Sequence, residues 1–465
     1  MTILNVAEKN DAGKHIAKFL SNDRFRLRRG PSRGNPLYDF HVPARNLPRF
    51  LNCNANTQQM TMTSVSGHLM CYDFAERFRD WGACNPIELF DCPIEKNVLQ
   101  NMNDCAENLR QEARTCNILI IWTDCDREGE NIGFQIAYTC RQTNPSIQVY
   151  RATFSDISTN SCFKALETLG PPNENLSDAA ECRQQLDLRV GIAFSRWQTR
   201  FIRSAFRDAI KLEANQSQKC ISYGPCQFPT MGFCVKRWID RKDFQKKAYY
   251  TIKLIDRSGV RFSLKSGSID DPEKANQIKA QVESQLASAT ITNVQSRPKS
   301  KYRPFPLDTV SLEIMASRKL RMSAKQCMHT AEKLYLKGLI SYVRTETNIW
   351  PRDMDFHSLV QMQTGDNRWG FFAKMCLDNG FNPKQGRKSD NAHPPIHPMG
   401  VPQGRLNSDE EKLYEFVVRR FLASISADAM GAEQIVTCDV GGIEFQASGQ
   451  VLQHKNYSRE FFQYT

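Results

Sequence analysis

Four carboxylates crowd the stretch "IWTDCDREGENIG", which begins at Ile121: Asp124, Asp126, Glu128 and Glu130 fall within seven residues. Like charges this close repel one another, so the arrangement calls for a cation. The apolar run Ile118–Trp122 precedes the cluster and a helix-like run from Gly133 follows it. Residues i and i+2 of an extended segment point the same way. Asp124 and Asp126 would then project together from the carboxyl end of a strand, the edge at which open α/β sheets bind ligands. Hard oxygen ligands on a short loop suit Mg²⁺, which takes one or two carboxylates together with waters and phosphate oxygens. The plainer alternative is a solvated acidic turn in which Glu130 begins the helix and its charge complements the macrodipole.

A second strand-loop-helix unit, "TILNVAEKNDAGK", carries Glu8 and Lys9 just past its strand. If both strands share one sheet, Glu8 comes close to Asp124 and Asp126 and could serve in general acid/base work. Taken alone, a Glu-Lys pair is an ordinary surface pair. D-x-D also opens the site of haloacid-dehalogenase-type phosphatases, but these favour Thr or Val where Glu128 stands and place the motif near the start of the domain. No G-x-x-x-x-G-K-[ST] occurs, which disfavours a P-loop nucleotide motor.

A third candidate lies far along the chain, in "LISYVRTETN" at Leu339–Asn348. Read as a strand, it puts Tyr342 and Arg344 on one face. A tyrosine of ordinary pKa is ionised to about one part in a thousand at neutral pH, so forming the phenolate costs roughly 4 kcal/mol. A neighbouring arginine and a phosphate bound by it would offset part of that. In isolation Tyr-x-Arg is a common cross-strand pair.

These residues sit in a chain of 465 residues, long enough for two to four domains, with 40% hydrophobic and 24% charged residues. No apolar run reaches the length of a membrane span. "MTILNVAEKN" lacks the basic region and apolar core of a signal peptide. The net charge of +12 favours a polyanionic partner, nucleic acid first. Sixteen cysteines without any C-x-x-C pair argue against a zinc module and for reduced thiols in the cytosol or nucleus.

The elements that must position the candidates follow from the patterning. Thr2–Ala7 reads as a buried strand, Asp11–Leu20 as a helix, 61–66 and 118–123 as strands, 130 onward as a helix and 148–152 as a strand. Residues 1–157 therefore form an α/β domain with a mostly parallel sheet. Residues 158–240 read as helical, with Arg183, Arg189, Arg196, Arg200 and Arg203 among apolar positions. Residues 241–301 read as antiparallel strands, and 296–306, "SRPKSKYRPFP", as a basic linker. Residues 302–430 read as helical, with Ser323 and Gln326 as a capping box and "LISYVRT" as a strand after Gly338. Strands return over 431–465. Residues 41–57 read as an irregular insertion.

Glu8-Lys9, the D-x-D-x-E-G-E cluster and "SYVRTETN", in this order, closely resemble the type IA DNA topoisomerases. "SVSGHL" at Ser64, "LDLR" at Leu186, "ISYGPCQFPT" at Ile221 and "NAHPPIHP" at Asn391 agree. "VAEKNDAGK" and "WTDCDREGENIG" look most like the alpha kind of eukaryotic topoisomerase III. The resemblance implies a multidomain α/β and α+β fold: a Toprim domain, helical DNA-binding domains and a β-rich arch, in a toroid. The chain ends at Thr465, so the expected toroid lacks its closing segment. Tyr342 would be the nucleophile, joined to a DNA 5′-phosphate. Glu8, Lys9, Arg344 and His393 would assist it, and Asp124, Asp126 and Glu128 would hold Mg²⁺. Arg183, Asp187, Arg189, Ser222 and Gln227 would line a single-strand groove. A RecQ-type helicase and an OB-fold accessory protein are the implied partners, and the nucleus the implied location, with a mitochondrial form left open. The one rival is a truncated relative that binds or scaffolds single strands without catalysis.

Overall fold

The computed structural model describes residues 2–51, 56–206 and 220–458. They fall into two compact units. The first comprises Met1–Ile239, Glu332–Tyr342 and Asn391–His393; the second comprises Asp240–Ala331, Val343–Asp390 and Pro394–Thr465. Among the described residues no helix is long and apolar enough to cross a membrane.

The first unit is built on a six-stranded sheet. Along the chain run β1 (Thr2–Ala7), α1 (Asn10–Ser21), β2 (Arg26–Arg28), β3 (Leu37–Pro43) and β4 (Thr57–Ser64), then the hairpin β5 (Met70–Phe74) and β6 (Ile94–Val98). There follow α2 (Asn103–Ala113), β7 (Cys116–Trp122), α3 (Arg127–Arg141), β8 (Gln148–Arg151), α4 (Thr159–Glu167), α5 (Glu174–Ala205) and α6 (Gln227–Lys242). The strand order is β2-β3-β4-β1-β7-β8. β4, β1, β7 and β8 are parallel, while β2 and β3 pair antiparallel at one edge. β1 and β7 are buried along nearly their whole length, as strands of a parallel sheet covered on both faces must be. Leu4, Val6, Leu119 and Ile121 pack with Leu109 of α2 and Ile132 and Ile136 of α3.

Register is what matters for the site. Ala7 lies opposite Trp122, so the residues that follow, Glu8 on one strand and Asp124 on the other, leave the sheet side by side. A buried polar bond fastens these two strands: the Trp122 Nε1–H donates to Asn5 Oδ1 at 2.9 Å, with Asn5 fully buried.

In the second unit the strands are β9 (Lys253–Ile255) and β10 (Arg261–Leu264), followed by α7 (Pro272–Ser284) and β11 (Thr290–Lys301). The helices α8 (Thr309–Met315), α9 (Ala324–Leu336), α10 (Phe356–Gln361), α11 (Gly370–Asn379) and α12 (Ser408–Ile425) come next, then β12 (Ala429–Val440) and β13 (Ile443–His454). The sheet order is β11-β12-β13-β10-β9, and α7 covers it through Ala275 and Val282 against Phe262, Val440 and Phe445.

Several expectations are corrected here. The basic, proline-bearing stretch from Ser296 to Lys301 is no linker but the second half of β11, paired with Gln434–Ala429. β11 is an edge strand, where a proline such as Pro298 costs no ladder bond on its open side. α7 interrupts the run of strands expected over 249–294; Asp271 caps it, accepting from Glu273 N, and Pro272 opens it, a helix-start signal in plain sight. Residues 41–51 are the end of β3 and two short 3₁₀ turns rather than an irregular insertion, while 52–55 lie outside the described residues. Only half of the expected capping box at α9 is made: Ser323 Oγ accepts from Gln326 N, but the Gln326 side chain donates to Asp409. "LISYVRT" forms no strand. After Gly338, at φ +68°, its backbone is held piecemeal, Leu339 N by Leu334 O and Tyr342 N by Ser155 O.

Asn5→Leu should destabilise the protein by about 1–3 kcal/mol, because it strands the buried Trp122 N–H. The urea midpoint reads this directly; an unchanged midpoint would mean that the bond contributes nothing.

Candidate active site

The chain reverses at the ends of β1 and β7 to place acidic and basic groups together. Asp126 is the N-cap of α3: its Oδ1 accepts from Gly129 N at 2.7 Å. The helix therefore begins at Arg127, three residues before Glu130, and Asp126 rather than Glu130 opens it. The start of the helix is pressed on the Asp124 carbonyl so closely that a Cβ on Gly129 would lie 1.9 Å from Asp124 O. Only glycine fits there. Glu8 Oε2 accepts from Asp124 N at 3.1 Å, which joins the two loops. Lys9 Nζ stands 3.5 Å from Asp124 Oδ2 and 3.7 Å from Glu8 Oε1.

Tyr342 completes the cluster. Its hydroxyl donates to Asp126 Oδ2 at 2.6 Å, and its ring is 3% exposed. Tyr335, in the last turn of α9, donates to Asp124 Oδ1 at 3.3 Å and meets the Tyr342 ring edge-on at 5.3 Å. His393 packs its ring 4.3 Å from that of Tyr342, and its Nε2 lies 3.1 Å from Cys125 O.

The electrostatics follow from burying like charges. Burial, and then the Asp124 charge, push Glu8 up to about 7. Burial raises Asp124 as well, against the pull of Lys9 and with the push of Asp126. Burial works against the charge on Lys9, but Asp124 and Glu8 outweigh it and the ammonium is held more tightly than usual. Tyr342 is driven far above an ordinary phenol by burial, by the Asp124 and Asp126 charges and by its own bond to Asp126. At rest the site holds a neutral phenol and an excess of negative charge.

The profile of the family described as "DNA topoisomerase" matches residues 171–464, and that described as "Toprim domain" matches residues 3–157. The chain belongs to the type IA DNA topoisomerase family. It is 46% identical over 461 residues to DNA topoisomerase 3-alpha of Homo sapiens, covering 98% of this chain and 44% of the human protein. DNA topoisomerase 3 of Schizosaccharomyces pombe is 37% identical, covering 98% of this chain and 72% of the yeast protein. The chain thus spans less than half the length of the human relative. Full-length topoisomerase I of Thermotoga maritima shares the fold, with a TM-score of 0.68 at 19% identity, covering 98% of this chain and 67% of that one. The likeness to the topoisomerase 3-alpha proteins agrees with the branch read from the motifs.

Within this type IA framework the expected residues divide. Glu8, Lys9, Asp124, Asp126, Tyr342 and His393 come together. Glu128 does not join them: its Oε2 is 2.9 Å from His68 Nε2, and its Oε1 accepts from Arg183 at 2.7 Å. Arg344 is exposed and belongs to the second unit, two residues beyond Tyr342. Of the groove candidates, Arg183 also pairs with Asp187 at 3.8 Å. Arg189 is spent on the carbonyls of Leu89, Phe90 and Cys92, and Arg196 on those of Phe78, Arg79 and Asp80. Ser222 and Gln227 are exposed, the latter as the first residue of α6. Sequence reasoning missed Tyr335, His68 and Arg151. Nothing in their spacing marks them, since each reaches the acidic loop only through the fold.

Among the described residues no three potential ligands are drawn into a ready-made metal cage. The donor set nevertheless suits Mg²⁺, which needs only one or two protein carboxylates and completes its shell with water and phosphate. Glu8, Asp124 and Asp126 offer hard oxygens, with Lys9 as their one close ammonium among the described residues.

Glu8 yields a pH prediction. Its folded pKa of about 7 stands above the ordinary 4.5, so the folded protein keeps a proton that the unfolded chain releases across that window. Metal-free stability should fall as pH rises through it. Glu8→Gln should melt higher than the parent above the window in chelator, with the gap closing at its lower end. A gap independent of pH would show that Glu8 titrates normally.

Proposed function

We propose that this chain carries the cleavage-and-rejoining centre of a type IA topoisomerase of the topoisomerase III kind. The observation that supports it most is the 2.6 Å bond between the Tyr342 hydroxyl and Asp126 in the midst of Glu8, Lys9 and Asp124. Asp126 stands where it can take the phenol proton as Tyr342 Oη attacks a phosphorus of single-stranded DNA. The Oη–P bond forms, the P–O3′ bond breaks, and Glu8 is placed to protonate the departing 3′ oxygen. The product is a 5′-phosphotyrosine that conserves the bond energy, so resealing needs no ATP. Lys9 and His393 offer donors to the phosphate, and Arg344 is proposed to help hold it. Mg²⁺, when held by Asp124 and Asp126, would supply positive charge for the phosphate oxygens. Glu128 could join them only after leaving His68 and Arg183.

The chain passes from one compact unit to the other at Tyr342–Val343. Parting of the Tyr342 segment from the Glu8–Asp124–Asp126 cluster would carry the held 5′ end away from the 3′ end, so that another strand could pass. The consequences we infer are relaxation of negative supercoils and resolution of recombination and replication intermediates in the nucleus. A RecQ-type helicase and an OB-fold protein are the proposed partners. Single strands should be preferred over duplex, held by Arg183, Asp187, Ser222 and Gln227 on α5, the segment before α6 and the start of α6; Arg189 contributes to this groove through its carbonyl bonds.

Tyr342→Phe should bind end-labelled single-stranded DNA as the parent does, yet form no covalent adduct when the reaction is stopped with denaturant. A labelled adduct surviving in the variant would exclude Tyr342 as nucleophile. Binding without adduct in the parent itself would favour the non-catalytic reading.

A further inference from the structure

Arg151, the last residue of β8, is the most deeply buried charge among the described residues of the first unit, at 2% exposed. Its Nε donates to Glu130 Oε1 at 2.8 Å, its Nη1 to Ala152 O at 2.6 Å and its Nη2 to Asp124 O at 2.8 Å. Glu130, 6% exposed, uses its other oxygen to accept from Asn173 N at 3.1 Å, the cap of α5. One ion pair thus ties β8, the acidic loop, α3 and the start of α5.

Stability alone gives little reason for such a pair. Two charges taken out of water lose about as much in hydration as they gain in attraction, and well-packed apolar side chains often do as well. Apolar side chains could not, however, donate to a carbonyl. The Asp124 carbonyl is squeezed between the Arg151 guanidinium and Gly129, and its direction sets where the Asp124 carboxylate and the Asp126 cap point. We propose that Arg151, oriented by Glu130, is a positioning residue that holds the Asp124–Asp126 loop in its working geometry. The role rests on the cleavage reading above. Glu130 accordingly belongs to the support of the site rather than to a solvated helix start.

The test uses Arg151→Lys, which keeps the charge beside Glu130 but has one nitrogen where three are used. Glu130→Gln keeps the shape and one acceptor, and is the milder variant should the first not fold. Arg28→Lys is the control, since Arg28 ties elements by a double ion pair with Asp39 and Glu112, more exposed than that of Arg151, at the far edge of the same sheet. Hydrogen exchange of the peptide spanning 121–130 is read first, because its amides at Asp124 and Gly129 depend on the loop geometry. We expect exchange there to quicken at least about tenfold in Arg151→Lys and less in Glu130→Gln. Adduct formation on single-stranded DNA should slow by about a hundredfold with an unchanged half-saturating DNA concentration, as a displaced rather than a missing group would cause. Arg28→Lys should do neither. Unchanged exchange in the loop, or faster exchange with the parental adduct rate, overturns the proposal. If the parent forms no adduct, the cleavage reading fails by itself, and the exchange result alone confirms or overturns the positioning role.

Discussion

Three half-buried carboxylates, Glu8, Asp124 and Asp126, share one sheet edge with the Lys9 ammonium. Their mutual repulsion is the condition under which everything around them is arranged. Left in water, these side chains would spread apart at little cost. Held by β1 and β7 in parallel register they cannot; burial first, and the neighbouring charges with it, raise Glu8 and Asp124 and keep the Tyr342 hydroxyl protonated. On the cleavage reading proposed above, the site waits for positive charge. That is a sensible resting state for the proposed nucleophile, because the charge that lowers the phenol would also neutralise the phosphate.

The scaffold meets this condition with rigid parts. Asp126 serves twice, capping α3 through one oxygen and receiving Tyr342 through the other, so helix and tyrosine share a single carboxylate. The Asp124 carbonyl is clamped by Arg151 and backed by Gly129. Tyr342 comes from a segment that is itself fastened by Ser155 O and by Tyr335 and His393 against its ring. Little of this depends on surface ion pairs, which contribute little when solvated.

Much of the site was legible in the chain because its residues lie in short runs with a local logic. A buried strand followed by D-x-D predicts a sheet-edge cluster, and Glu8 beside Asp124 follows once two such strands share a sheet. What escaped was whatever depends on distant packing. Arg151 and Tyr335 are unremarkable in sequence and matter only through bonds to residues far away. Glu128 is a third ligand by the family resemblance, yet α3 turns it toward His68 and Arg183. Of the arginine row on α5, Arg189 and Arg196 are consumed by carbonyls of the 78–92 segment, a use that spacing cannot distinguish from phosphate binding. The linker expected over 296–306 shows the opposite error over 296–301: proline and lysine marked an edge strand, whose open side they tolerate.

The central claim is that metal relieves the carboxylate repulsion, and a melting experiment tests it most directly. The parent and the Asp124→Asn/Asp126→Asn variant are melted in chelator and across a Mg²⁺ titration. The parent should gain stability with Mg²⁺ and the variant none, and in chelator the variant should melt at least as high as the parent because neutral amides no longer repel. A parent indifferent to Mg²⁺, with a variant that behaves identically, would contradict it and return the cluster to the status of an acidic turn.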